Sequence, residues 1–248
     1  MNTINFVFID GPDGIGKSTL CNNLCDIRYE TENPWINSKM INIAMEQLPS
    51  GNGSLRFLRG LVKNRNFKCD DFARQLLHCC SHIKSFLTNA YEEYLDSHIS
   101  GFSRYNYIFF DRGPLSTLVY GDSILRKKYP EDIASEYLDI LGNINLEVLE
   151  ELVRFEYIDQ IYYINLIRDK PYRLDKDESY YEEVTEYKEL SEKYKDMAQA
   201  LYARYDLQEL KKAGKIVNIN LNFLEEKGII SSTNISDYIW KNILLKAQ

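Results

Sequence analysis

Short apolar runs alternate with longer amphipathic segments along the whole chain. Four apolar runs are typical of buried strands, and they lie at residues 4–9, 107–110, 161–166 and 216–221. The longer segments predict helices at 17–26, 70–97, 115–128, 131–155 and 235–245, and a long one that ends near 212, before Gly214. We interpret residues 32–66 as two short helices around the turn at 49–53.

The order of these elements predicts the fold class. Apolar strands that alternate with helices indicate an α/β protein with a mostly parallel sheet that is covered on both faces. The 248 residues contain no internal repeat and no low-complexity linker. We therefore expect one domain over residues 1–248, with inserted segments in place of a second core.

Composition limits the class of ligand and the compartment. The net charge of −7 predicts that the molecule as a whole repels anionic polymers and membrane surfaces, so any anion must be held locally. Five cysteines, an odd number without a C-x-x-C pair, indicate reduced thiols and a cytoplasmic protein. We expect no export and no membrane association, because the chain has no signal peptide and no apolar run of roughly 18 residues.

A glycine loop follows the first predicted strand and precedes a helix. Its sequence GPDGIGKS, residues 11–18, matches G-x-x-x-x-G-K-[ST], which predicts a phosphate-binding loop for ATP rather than a simple turn. Lys17 would reach the β- and γ-phosphates, and the Ser18 hydroxyl would ligate Mg²⁺. The predicted cofactor-binding residues are Gly11, Asp13, Gly14, Ile15, Gly16, Lys17, Ser18 and Thr19.

A second strand end carries the pair Asp111 and Arg112. In a parallel sheet both residues would emerge at the edge that also carries the glycine loop. Asp111 suits a carboxylate that holds Mg²⁺ or orients an acceptor, and Arg112 suits bidentate binding of a phosphate. The alternative is helix capping with a surface ion pair. Asp10 and Asp13 lie in or beside the loop, and we expect one of them to face the acceptor.

Two arginines flank a charged segment after the third predicted strand. Arg168 and Arg173 would bring positive charge onto the transferred phosphoryl group if this segment closes as a lid, which we place at about 167–178. Four basic and four acidic residues balance between 168 and 178, so a solvated turn is the alternative.

These motifs together resemble the thymidylate kinases and related nucleotide kinases. The resemblance rests on the segment 8–20, the strand end Phe110-Asp111-Arg112, Ser116-Thr117 and the tyrosines near 180–187. It implies a three-layer αβα P-loop kinase fold with a mostly parallel five-stranded sheet, and it suggests a homodimer. It also implies that Asp13 contacts the deoxyribose 3′-hydroxyl, that Arg112 holds the acceptor phosphate and that the lid supplies the catalytic arginines.

The acceptor region departs from the pattern of that family. We place this region at about 32–98, and His78 and His82 occupy the positions where the family has a stacking Phe and a base-reading Arg. Either packing or acceptor contact explains the two histidines better than a metal pair, because further ligands are missing. Trp35 is a candidate wall of the acceptor pocket, although core packing explains it equally well.

One local segment is basic despite the net negative charge. Between 56 and 68 the chain has no acidic residue, and it has five basic ones: Arg56, Arg59, Lys63, Arg65 and Lys68. A solvated helix face, contacts to the acceptor phosphate and binding of a polynucleotide backbone all explain this composition.

The residues therefore predict an ATP- and Mg²⁺-dependent kinase that phosphorylates a (deoxy)nucleoside monophosphate. The catalytic set comprises Lys17, Asp111, Arg112, Arg168 and Arg173, with Ser18 and Asp111 at the metal. The acceptor contacts comprise Asp10, Asp13, Trp35, His78, His82 and Arg112. The alternative is a kinase that acts on a hydroxyl of a deoxynucleoside or of a hydroxymethylated base in DNA, for which Asp111 or Asp10 must accept a proton. A non-enzymatic nucleotide-binding protein is the third hypothesis.

Overall fold

A computed structural model describes residues 3–26, 41–48, 55–64, 67–100, 105–170, 187–204, 207–229 and 231–245. Five strands lie in these ranges: β1 (Thr3–Asp10), β2 (Ile41–Gln47), β3 (Tyr105–Asp111), β4 (Gln160–Ile167) and β5 (Gly214–Asn220). The helices are α1 (Lys17–Asp26), α2 (Leu55–Lys63), α3 (Asp71–Ser100), α4 (Pro114–Lys128), α5 (Glu131–Arg154), α6 (Tyr187–Arg204), α7 (Gln208–Ala213), α8 (Leu221–Glu226) and α9 (Ser232–Ile239), which a π-helical turn (Trp240–Leu244) extends.

The five strands form one parallel sheet in the order β2-β3-β1-β4-β5. In this order β1 is central, with β3 on one side and β4 on the other. Parallel strands place all their carboxyl ends at one edge, and ligands of open α/β sheets bind outside that edge, where the strand order reverses. The loops that follow β1, β3 and β4 therefore meet at one place.

Two apolar cores cover the two faces of the sheet. Along β1 the side chains alternate, so that Phe6 and Phe8 enter one core while Val7 and Ile9 enter the other. Helices α3 to α7 complete the first core, and α1, α8, α9 and the π-helical turn complete the second. The predicted α/β class, with helices on both faces of a parallel five-stranded sheet, is confirmed.

The prediction of two short helices within residues 32–66 is wrong for the first of them. Residues 41–47 form the edge strand β2, which pairs in parallel with β3 from Ile41↔Tyr105 to Gln47↔Asp111. The sequence INIAMEQ has no long apolar run, because an edge strand pairs on one side only and is less buried than a central one. Only α2 from this region is a helix among the described residues.

Among the described residues, the predicted helix that ends near residue 212 is assigned to two helices, α6 and α7, and Leu207 before α7 has non-helical backbone angles. Glu150 of α5 accepts hydrogen bonds from the backbone N–H groups of Glu209 (3.0 Å) and Leu210 (2.5 Å) at the start of α7. These free N–H groups exist only at a helix N-terminus, so the buried carboxylate stabilises a second helix start. The predicted closing helix at 235–245 is likewise divided, into α9 and the π-helical turn.

No helix in the described ranges is both long enough and apolar enough to span a bilayer.

Four phenylalanines pack together under the site-bearing edge of the sheet. Phe86 of α3 lies with its ring centroid 5.3 Å from that of Phe8 and 5.5 Å from that of Phe110, and Phe6 completes the cluster. All four side chains are fully buried. Through this cluster α3 is fixed against β1 and β3, the two strands that lead to the candidate site.

Substitution of Phe86 by Ala tests the contribution of this cluster. Because the change leaves a cavity among fully buried rings, we expect the free energy of unfolding to fall by about 3–5 kcal/mol in urea titrations. Phe57→Ala on α2 is the matched control, since that ring is 70% exposed, and its effect should stay within about 0.5 kcal/mol. Equal losses in the two variants would contradict the packing described.

Candidate active site

The glycine loop connects the end of β1 to the start of α1, as the sequence predicts. Gly11, Gly14 and Gly16 all have positive φ, at +145°, +74° and +96°. At Gly11 a Cβ would also lie 2.8 Å from the carbonyl oxygen of Leu166 on β4, so only glycine fits there. The loop is therefore packed against the neighbouring strand and forms a cradle of the kind that phosphate oxygens occupy.

Lys17 lies inside this cradle. Its Nζ donates hydrogen bonds to the carbonyl oxygens of Gly11 (2.8 Å) and Pro12 (2.7 Å), and it lies 3.4 Å from Oδ1 of Asp13. Burial and the nearby charge of Arg112 lower the pKa of Lys17 from its ordinary value. The ammonium group is thus held by carbonyl and carboxylate oxygens at the mouth of the loop, where an anionic ligand offers stronger partners.

The Ser18 hydroxyl joins the loop to β3. It donates a hydrogen bond of 2.5 Å to Oδ2 of Asp111, which is buried. The contact follows from the register, because Ile9 of β1 pairs with Asp111 of β3 and the two strands end side by side. A hydroxyl and a carboxylate oxygen are the hard ligands that Mg²⁺ prefers, so the donor set fits that ion.

The described residues contain no cluster of three or more His, Cys, Asp or Glu side chains able to hold a metal ion. Ser18 and Asp111 supply two oxygen ligands, and Mg²⁺ takes one or two protein ligands and completes its shell with waters and substrate phosphates.

Arg112 is held in an unusual backbone conformation at the end of β3. Its φ is +86°, and its N–H donates to the carbonyl oxygen of Ile9 over 3.0 Å. A non-glycine residue in this region stores strain, which persists at sites where surrounding contacts hold it. The guanidinium forms an ion pair with Asp13 and lies 5.8 Å from the ring centroid of Tyr120. The side chain is thereby directed towards the glycine loop.

Asp13 is the counterion of both cations. Burial acts to raise the pKa of its carboxyl group, but the charges of Arg112 and Lys17 outweigh burial and hold that pKa well below its usual range. The carboxylate is therefore ionised, and it neutralises positive charge that would otherwise face the loop.

Asp10 lies behind the loop and is fully buried. Its Oδ1 accepts hydrogen bonds from the N–H of Gly113 (2.9 Å) and from the Ser116 hydroxyl (2.5 Å). Its Oδ2 accepts no hydrogen bond from any residue that the structure describes. Burial raises the pKa of this carboxyl group, and the two hydrogen bonds oppose the shift. These contacts favour a positioning role, whereas an acceptor contact of Asp10 stays a prediction.

The two predicted histidines lie on one face of α3, but in different surroundings. His82 is buried, with Nδ1 3.5 Å from the Thr117 hydroxyl of α4 and its ring centroid 6.0 Å from that of Phe86. His78 is half-buried, and the two imidazole centroids are 6.5 Å apart. Burial and the charge of Arg112 lower the pKa of His82 to about 3, so this imidazole is neutral.

The structure describes the start of the predicted lid only. Arg168 follows β4, and its guanidinium forms an ion pair with Glu225 of α8, with 3.0 Å between Nη2 and Oε1. Arg173 and Trp35 lie outside the described residues. The roles predicted for these three residues stay predictions.

The basic segment is described in part. Arg56 of α2 and Lys68 are exposed, Arg59 is half-buried, and Arg65 and the side chain of Lys63 lie outside the described part. The exposed ring of Phe57 lies next to Arg56. Binding of a polynucleotide here stays a prediction.

The candidate site residues predicted from the sequence do not include one acidic residue at the carboxyl edge of the sheet. Glu46 of β2 pairs in register with Phe110, one residue before Asp111, and its carboxylate accepts a hydrogen bond of 2.6 Å from Asn89 of α3. The prediction failed because residues 41–47 were interpreted as helix. The available signal is an acidic residue near the end of a short stretch in which Ile41 and Ile43 alternate with a polar residue, before Pro49.

No family model matches the chain, and no curated protein matches it. Among solved structures, the chain is similar to thymidylate kinase from Candida albicans, with a TM-score of 0.48 and 17% identity over 99% of this chain and 92% of that one. A similarity of this size transfers no residue roles.

The low pKa of His82 predicts a pH dependence of stability. Below pH 6.5 the unfolded chain protonates this imidazole and the folded chain does not, so the stabilisation is lost as the pH falls. Between pH 6 and 5 we expect the wild type to lose about 1 kcal/mol more unfolding free energy than His82→Asn. Urea titrations at the two pH values measure the difference. The same loss in both proteins would show that His82 is not buried as described.

Proposed function

We propose that the chain is an ATP- and Mg²⁺-dependent kinase that transfers the γ-phosphoryl group of ATP to a (deoxy)nucleoside monophosphate. The observation that carries the proposal is the pair of bonds between neighbouring strand ends, from Ser18 to Asp111 and from Arg112 to Asp13. They bring a candidate metal site and a candidate phosphate-binding arginine to the same glycine loop.

The glycine loop binds the phosphate donor, ATP. Its backbone N–H groups and Lys17 bind the β- and γ-phosphates, and Ser18 with Asp111 holds the metal ion. When bound there, Mg²⁺ would supply charge neutralisation for the phosphate oxygens during transfer. In the ATP-bound protein Lys17 exchanges its bonds to the carbonyl oxygens of Gly11 and Pro12 for bonds to phosphate oxygens.

Arg112 binds the phosphate group of the acceptor. A planar guanidinium binds a phosphate monoester with two parallel hydrogen bonds, which orients the attacking oxygen as well as attracting it. Asp13, released from Arg112 by the acceptor phosphate, is then available to a sugar hydroxyl. A phosphate acceptor is already anionic, so the transfer needs positioning and charge neutralisation rather than a strong base.

Arg168, together with Arg173, is proposed to complete the neutralisation of the transferred group. Arg168 would leave Glu225 for this purpose, which is a rearrangement of the segment that follows β4.

A hydroxyl acceptor is the second candidate, and Glu46 is the observation that favours it. A kinase that acts on a hydroxyl needs a base, and Asp10 is unsuited because its carboxylate is buried and bonded to Gly113 and Ser116. Glu46 instead ends a neighbouring strand at the same sheet edge and is half-buried. Under this hypothesis Arg112 has no acceptor phosphate to bind.

Phosphoryl transfer from γ-labelled ATP to a panel of acceptors tests the proposal. The panel comprises deoxynucleosides, deoxynucleoside and ribonucleoside monophosphates, plain DNA and hydroxymethylated DNA, each with and without Mg²⁺. We expect label in a nucleoside diphosphate, dependence on Mg²⁺ and a loss of about 10³-fold in Lys17→Ala, which removes the phosphate-binding ammonium group.

Lys212→Ala is the matched control, since that lysine is exposed on α7 and pairs with Glu209. It should retain wild-type transfer. Label found only in nucleoside monophosphates or in DNA would replace the proposal by the hydroxyl kinase. Wild-type activity in Lys17→Ala, or transfer to no acceptor, would remove the kinase assignment.

A further inference from the structure

A chain of buried hydrogen bonds links helix α6 to the end of β1, where the glycine loop begins. The Tyr194 hydroxyl of α6 donates to the Ser116 hydroxyl of α4 over 3.0 Å. Ser116 in turn donates to Oδ1 of Asp10 at the end of β1 over 2.5 Å. All three residues are buried, at 0% exposure for Tyr194 and Asp10 and 4% for Ser116.

The Tyr194 end of this chain is fixed to the end of β4. Asn165 of β4 donates a hydrogen bond of 3.1 Å to the carbonyl oxygen of Tyr194. One helical turn earlier, the Ser191 hydroxyl accepts a bond of 3.2 Å from the backbone N–H of Arg168. These bonds fix α6, and with it Tyr194, against the end of β4.

The Asp10 end of the chain is fixed to the turn that carries Arg112. Oδ1 of Asp10 also accepts from the N–H of Gly113, and a Cβ at Gly113 would lie 2.8 Å from Oδ2 of the same carboxylate. The turn is thus pressed against Asp10, with Arg112 at φ +86°. A backbone strained in this way keeps its conformation only while such contacts hold it.

A second contact joins Tyr194 to the same arginine. The Tyr194 ring meets that of Tyr120 edge-on, with 6.2 Å between centroids, and the Arg112 guanidinium lies over Tyr120. Burial raises the pKa of Tyr194, so its hydroxyl stays protonated and remains a donor. Hydroxyl and ring therefore act on Arg112 by separate routes, and loss of the hydroxyl alone leaves the ring contact in place.

We propose that Tyr194 is a positioning residue for the acceptor site. Its hydroxyl couples helix α6 to the orientation of Arg112, through Ser116 and Asp10. The inference rests on the proposed function for its kinetic consequence, because Arg112 there binds the acceptor phosphate.

Tyr194→Phe in the full-length protein tests the coupling, because it removes the hydroxyl and keeps the ring. Tyr107→Phe is the matched control: that buried hydroxyl donates to the carbonyl oxygen of Leu244 over 3.4 Å in the other core. Hydrogen–deuterium exchange of the Gly113 and Ser116 amides reports the turn without any ligand. Steady-state kinetics with ATP and the monophosphate that the protein phosphorylates measure how a change in the turn affects acceptor binding.

In Tyr194→Phe we expect both amides to exchange about two- to tenfold faster, the loss that one hydrogen bond produces. The KM for the acceptor should rise by a similar factor, while the KM for ATP and kcat change less than twofold. Tyr107→Phe should leave all these quantities at wild-type values.

Unchanged exchange at Gly113 and Ser116 in Tyr194→Phe would overturn the coupling. Faster exchange with equal changes in both KM values, or with none, would reduce Tyr194 to a structural residue. If the wild type phosphorylates no acceptor, the proposed function fails and the kinetic role of Tyr194 fails with it. The exchange rates still decide whether Tyr194 and the Arg112 turn are coupled.

Discussion

The parallel register between β1 and β3 is the constraint on which the site depends. Ile9 lies opposite Asp111, so the glycine loop and the Asp111–Arg112 turn leave the sheet at the same level. The Arg112 N–H then bonds to the carbonyl oxygen of Ile9, and Ser18 bonds to Asp111. A shift by one residue would turn the alternate side chains of β1 into the opposite core and separate these groups. Packing of the two cores therefore fixes the positions of the site side chains at the carboxyl edge of the sheet.

The electrostatics of the site follow from that placement. Lys17 and Arg112 lie within reach of one carboxylate, Asp13, whose pKa they hold far below its usual range. Partly buried cations need partners, and in the free protein the loop carbonyl oxygens and Asp13 supply them. Phosphate groups carry the same kind of oxygen with more charge. The net charge of −7 is thus a poor guide to the ligand, since the local partners of the two cations decide what binds.

The sequence predicts the central strands and the loop well, because long apolar runs and glycine spacing are local signals. It predicts β2 wrongly. The pairing of residues 41–47 with β3 is a long-range contact, and a half-buried strand has no continuous apolar run in its local sequence that would indicate it. It also misses the start of α7, which depends on Glu150 from another helix. The proximity of Ser18 to Asp111 was predicted from topology. The ion pair of Arg112 with Asp13 and the burial of Asp10 depend on three-dimensional packing that residue spacing does not encode.

A crystal structure with a non-hydrolysable ATP analogue, Mg²⁺ and the nucleoside monophosphate accepted in solution would show which group holds the acceptor phosphate. We expect Arg112 to leave Asp13 and to bind that phosphate with two hydrogen bonds of about 2.7–2.9 Å. We also expect the metal ion between Ser18 and Asp111. An acceptor phosphate bound elsewhere, with Arg112 still paired to Asp13, would contradict the proposed function.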